Sequence, residues 1–249
     1  MEKSTLQSWA SVRVQEMVLA CLRLYDLQLY TPDVLSSEIA PLFDLFRAQG
    51  FDWNHFFNSS EFPRKPVSAS AAGLTTHGVN NAMAIKEAAA FWRVWQKDAD
   101  KQSTHQRLDM LLTYHGQATG VFSCDEHLAG LEPNRGTELC TVVEHMYSLQ
   151  EIFAVFGEAE WADALERIGL NALPATLTGD MWAHQYLQQG NEINAMHTDP
   201  HVWATDGPDA TIFGLEPQSE RTPTRTSLAL ECSQRIFHFC SVGRRFCPR

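Results

Sequence analysis

The chain has 249 residues, 44% of them hydrophobic, and a net charge of -11 at neutral pH, enough material for one domain with a sizeable core. No apolar run approaches the roughly 18–20 residues of a membrane span, residues 1–5 lack the features of a secretory signal, and an acidic chain has no general affinity for nucleic-acid backbones. A cytoplasmic protein is the expectation, and six cysteines lying mostly far apart do not read as a disulfide framework. The charge is uneven. Residues 1–217 hold 13 basic and 28 acidic side chains, whereas 218–249 hold six arginines and two glutamates. Two units follow: 1–217, and a basic tail over 218–249 that reads as disordered or foreign to the fold.

In chain order, Val14, Val18, Cys21, Leu22 and Tyr25 share one face and predict a helix over 6–30, stopped by Pro32. Leu35, Ile39, Leu42, Phe43 and Phe46 predict another over 33–49, with Gly50 as its cap. Residues 51–76 read as a loop. Its Trp53, His55, Phe56 and Phe57 suit either core filling, the simpler reading, or a sugar-stacking platform. Further helices are predicted over 80–98, 104–115, 140–156 and 158–170, the last two separated by Gly157. No alternating strand of useful length occurs. The fold class is all-α, a toroid of helical hairpins.

The densest chemistry lies between Ser123 and Cys140. Asp125, Glu126, Glu132, Glu138, His127, Cys124 and Cys140 fall within this stretch, at the entrance to a helix. Such groups are costly together unless solvated, hydrogen-bonded or holding a metal. Glu138 and Cys140 point about 200° apart on an ideal helix. They can share an ion only if Glu138 is non-helical, and Thr137 is the expected N-cap that permits this. The plain rivals are Glu138 complementing the helix dipole, Cys140 as a small apolar residue, His77 as a local cap and Glu126 as solvated surface. His184, His197 and His201 have no metal-site spacing.

Residues 74–86, Leu-Thr-Thr-His-Gly-Val-Asn-Asn-Ala-Met-Ala-Ile-Lys, resemble a segment of glycoside hydrolase family 127. Residues 114–120, the Asp125-Glu126-His127 loop, Glu138-Leu139-Cys140, 180–186 with Asn191, and 212–217 are similar to later elements of that family, in order. The resemblance implies part of an (α/α)6 barrel and a retaining β-L-arabinofuranosidase acting on a small carbohydrate or glycan. It also implies a zinc ion held by a Glu-x-Cys pair and two adjacent cysteines, one of them the nucleophile. Carried over, Glu138 and Cys140 are metal ligands, Glu126 is the acid/base, and His77 and Asn81 bind substrate. The adjacent cysteines are missing: Gln218-Ser219 follows Pro217, and Cys232, Cys240 and Cys247 are never neighbours. Fewer helices are legible than six hairpins contain. The chain therefore reads as the middle of a catalytic domain with an unrelated end, impaired as a hydrolase. A sugar epimerase or isomerase using His77 and His127 is the alternative, and a non-catalytic fragment the third reading. Oligomeric state is left open.

Overall fold

The computed structural model describes residues 6, 8–27, 35–58, 60–177, 183–185, 187–190 and 215–217. The tail over 218–249, Asn191, His197 and His201 lie outside the described residues, and the side chain of His184 is not described.

Helices dominate: α1 (Trp9–Val12), α2 (Val14–Asp26), α3 (Ala40–Gln49), α4 (Trp53–Phe56), α5 (Gly78–Trp95), α6 (Asp98–His115), α7 (Leu139–Phe156), α8 (Ala159–Leu170) and α9 (Ala172–Ala175). A π-helical turn, Leu35–Ile39, leads into α3. The centre is α5, in which every residue from Gly78 to Phe91 is buried. Alanines at 82, 84, 88, 89 and 90 let neighbours approach closely, and α7 packs most extensively against it, with α6 and α2 beside. A helix enclosed all round carries no polar stripe to solvent, so its charged members must be paired. Lys86, wholly buried, reaches Glu16 at 2.7 Å and Glu144 at 3.3 Å. Arg107 from α6 meets Glu87 at 2.8 Å and also donates to the Ala84 carbonyl.

Several boundaries differ from the periodic reading. The first helix is broken at Arg13, whose backbone lies at φ -117°, ψ 22°. Its guanidinium is drawn to Asn80 at the start of α5 instead, at 2.7 Å. Helix α6 begins at Asp98, six residues before the expected start, with Asp98 and Asp100 at its positive end. The 51–76 loop contains α4, whose first turn is capped by Asp52 accepting the His55 N–H at 2.9 Å. Trp53, Phe56 and Phe57 are buried in the main core, where Phe56 packs edge-on against Trp53, Phe57 and Phe62 and Phe57 stacks on Phe62, while His55 is exposed. The aromatic run fills the core. Gly157 ends α7 in the left-handed region, φ 69°.

Short strands, which the alternation test does not detect, frame one end of the bundle. They are β1 (Cys124–Asp125), β2 (His127–Leu128), β3 (Thr137–Glu138), β4 (Ala183–Gln185), β5 (Leu187–Gln188) and β6 (Leu215–Pro217). One sheet runs β2-β1-β3-β5, with β1 and β3 parallel and the other pairs antiparallel; β4 pairs with β6. Strands of two residues are too short for periodicity to register. The fold remains all-α, and no helix among the described residues is long and apolar enough to cross a membrane.

Candidate functional site

The N-termini of α5 and α7 come together at this sheet. His77 is the N-cap residue of α5 and Glu138 that of α7, both in extended geometry. Glu126 sits in the turn between β1 and β2 at φ 83°, a left-handed conformation unusual for a residue with a side chain. The turn is fixed by backbone bonds: Gly78 N–H donates to the Glu126 carbonyl at 2.9 Å, and Leu128 N–H to the Thr76 carbonyl at 3.0 Å. Gly78 has to be glycine, because a Cβ there would lie 2.1 Å from the Cys124 sulfur.

These constraints bring three side chains spread over 62 residues of chain to one place. Ligand-type atoms of His77, Glu126 and Glu138 all lie within 4.8 Å of one another, a group that could hold a metal ion. His77 Nε2 is 3.4 Å from Glu126 Oε2, and both side chains retain some solvent access. Glu138 is almost fully buried. Two helix N-termini present positive potential to the two carboxylates. His127 stands perpendicular to His77, ring centroids 5.9 Å apart. Burial and the neighbouring His77 push the His127 pKa down, which keeps it neutral near pH 7. Thr76 Oγ1 lies 3.0 Å from His127 Nδ1. Arg135 clamps Asp125 through two bonds, at 2.6 and 2.8 Å. Burial nevertheless raises the Asp125 carboxyl to about 6 against the pull of Arg135.

The other sequence candidates fall differently. Asn81 is wholly buried beneath the loop; its Nδ2 donates to the Thr75 and His77 carbonyls at 2.9 Å each, holding His77 in place. Thr137 is not the N-cap of α7. It pairs within β3, and its hydroxyl donates to the Phe122 carbonyl at 3.2 Å, so Glu138 takes the cap position. Cys140 lies half-buried in the first turn of α7, outside the His77–Glu126–Glu138 group. Cys124 is fully buried, with its sulfur 2.9 Å from Thr141 Oγ1. Burial, then the Glu138 charge, holds its thiol well above the usual cysteine range. That thiol is no nucleophile. The group gathered here is one imidazole and two carboxylates, and Cys140, which the resemblance pairs with Glu138 on zinc, is not part of it.

Trp9 went unnoticed in the sequence. It touches His77 edge-on at 5.4 Å between ring centroids, and no local pattern links residues 68 positions apart. A second His–Glu group, His105 with Glu158 and Glu160, is satisfied internally, since Lys101 reaches Glu158 at 2.6 Å.

No family model matches the sequence, and no curated protein is similar to it. Solved structures do share the fold. A β-arabinofuranosidase of glycoside hydrolase family 127 aligns with a TM-score of 0.57 at 13% identity, over 95% of this chain and 33% of that one. A D-mannose isomerase aligns with a TM-score of 0.50 at 12% identity, over 92% of this chain and 57% of that one. The chain thus spans a third of the length of the first and little more than half of the second. At such identities the likeness establishes the helical-hairpin fold alone.

Proposed function

We propose that this chain carries the acid–base face of a carbohydrate-active enzyme, a glycoside hydrolase of the β-L-arabinofuranosidase type. The observation that carries this reading is the approach of His77 Nε2 to Glu126 Oε2 at 3.4 Å, between two helix N-termini. Glu126, partly exposed, can protonate a leaving glycosidic oxygen and then take a proton from water. His77 orients that carboxyl. Glu138, buried behind them, adds negative charge where a sugar develops positive character in the transition state. The fold shared with a β-arabinofuranosidase supports the sugar class.

Zinc has no step in this reading. Cys124 is fully buried and the adjacent cysteines that the resemblance calls for do not occur in the sequence, so hydrolysis is expected to be slow. The test is cleavage of an aryl β-L-arabinofuranoside by the purified chain. Glu126→Gln should lower turnover by roughly 10²–10⁴-fold, and turnover unaffected by that change would refute the assignment.

A second reading, sugar isomerisation or epimerisation, is favoured by one observation: the perpendicular contact of His77 with a neutral His127. A neutral imidazole can take a proton from carbon next to a sugar carbonyl. D-Mannose in D2O distinguishes the two, because enediol chemistry exchanges the C2 hydrogen and glycoside hydrolysis does not.

A further inference from the structure

Trp9 is out of character for its surroundings. The residue is 46% exposed, although its ring meets that of His77 and it stands in a one-turn helix that is held from several directions. Trp53 Nε1 donates to the Val12 carbonyl at 3.2 Å, and Phe51 N–H to the Ser11 carbonyl at 2.9 Å. The Arg13 guanidinium lies 4.5 Å from the centroid of the Trp9 ring. Arg13 Nε donates to Asn80 Oδ1 at 2.7 Å, and Asn80 Nδ2 in turn donates to the Leu74 carbonyl at 2.8 Å. The indole is therefore tied, through Arg13 and Asn80, to the loop that ends in His77.

An indole needs no such mooring to sit in solvent. A fixed, exposed aromatic surface offers contact area whose ordering entropy is already lost before a ligand arrives. Its apolar face suits a ligand with one C–H face and a polar perimeter, which describes a sugar ring. Beside it lie polar side chains: His77, which stands 3.4 Å from Glu126, and Arg13.

We infer that Trp9 is the stacking wall of the His77–Glu126 site and takes the C–H face of a single sugar unit. This rests on the carbohydrate reading above and extends it to a residue that no motif contains. Trp9 is a binding residue and takes no part in proton transfer.

The test uses the full chain with L-arabinose and D-mannose as probes, followed by titration calorimetry. Trp9→Leu keeps apolar bulk without an aromatic face and should weaken the bound sugar roughly 3- to 10-fold. Trp9→Phe should stay within about 2-fold of the parent. On an aryl arabinofuranoside, Trp9→Leu should raise KM and leave kcat unchanged. In the unmodified chain, saturating sugar should protect Trp9 from N-bromosuccinimide oxidation, read by peptide mass spectrometry, a measurement that does not depend on any variant folding. Equal affinity in Trp9→Leu, or oxidation of Trp9 that sugar does not slow, would overturn the inference. If Glu126→Gln still abolishes turnover in that case, the acid–base reading stands without Trp9. If neither sugar binds the parent chain, both fall together.

Discussion

Gly130 donates its backbone N–H to Nδ1 of His115 at 2.8 Å, which fixes the charge state of a buried histidine. Nε2 of the same ring faces the Pro63 carbonyl at 2.7 Å and must donate its hydrogen there. His115, at the end of α6, so joins the 51–76 loop to the acidic loop of the site. Only the neutral ring satisfies both partners, and burial lowers its pKa to about 4.

A pH dependence follows. The folded state disfavours protonated His115, so its contribution is complete above the unfolded pKa near 6.5 and is lost as pH falls from there toward 4. Buried His145, lowered to about 3, acts in the same direction. Asp125, raised to about 6, acts in the opposite one. The expected share of His115 is about 2 kcal/mol lost between pH 7.5 and 5. Urea midpoints at both pH values check it: His115→Gln should be less stable at pH 7.5 and show a smaller fall. An equal fall in parent and variant would contradict the assignment.

Gly78→Ala places a Cβ 2.1 Å from the Cys124 sulfur and 2.9 Å from Thr141 Oγ1. All three sit where α5, β1 and α7 meet, and none is at a flexible tip. A loss of about 2–3 kcal/mol is expected, together with impaired function, since the Gly78 N–H also holds the Glu126 carbonyl. Chemical denaturation reads the first and turnover the second. Stability within 0.5 kcal/mol of the parent, a change of about the size usual at the surface, would show that this junction yields.

Asp125→Asn leaves the Arg135 guanidinium buried without its carboxylate. Breaking a buried pair from one side usually costs about 3–5 kcal/mol. The Asp125→Asn, Arg135→Met double change should recover part of that loss. A double-mutant cycle in urea measures it; strict additivity would mean the pair is not coupled.

Added zinc should inhibit. Zn–N and Zn–O bonds of about 2.0–2.2 Å put the edge of a coordination tetrahedron at about 3.4 Å, the separation of His77 Nε2 and Glu126 Oε2. An ion there would use Glu126 as a ligand and remove it as an acid. Calorimetric zinc affinity should fall at least tenfold in Glu138→Gln and in His77→Ala, and stay unchanged in Cys140→Ser. Dependence on Cys140 instead would restore the thiolate site.

Much of this site was legible in the sequence, one piece at a time. A shared ion on Glu138 and Cys140 would need Glu138 to be non-helical, and Glu138 is extended at the start of α7. The reason differed from the expected one, because Thr137 is claimed by strand pairs to Cys124 and Gln188. Partners 13 and 51 residues away are not written into a local pattern. Cys124 is a thiol beside acids in the sequence, and only its packing against Gly78 and Thr141 buries it.

The sequence by itself determined the helices, since apolar residues recurring every three to four positions specify a buried face whatever lies opposite. It also located the loop that carries the acids, whereas burial of Trp53, Phe56 and Phe57 in the core was decided by packing. Tertiary structure alone decided which residues meet. Trp9, His77, Glu126 and Glu138 are gathered because an isolated bridge between His77 and His127 ties the start of α5 to β2, and β2 is joined through β1 to β3, which leads into α7. That contact depends on helix packing, and helix packing depends on the whole core at once.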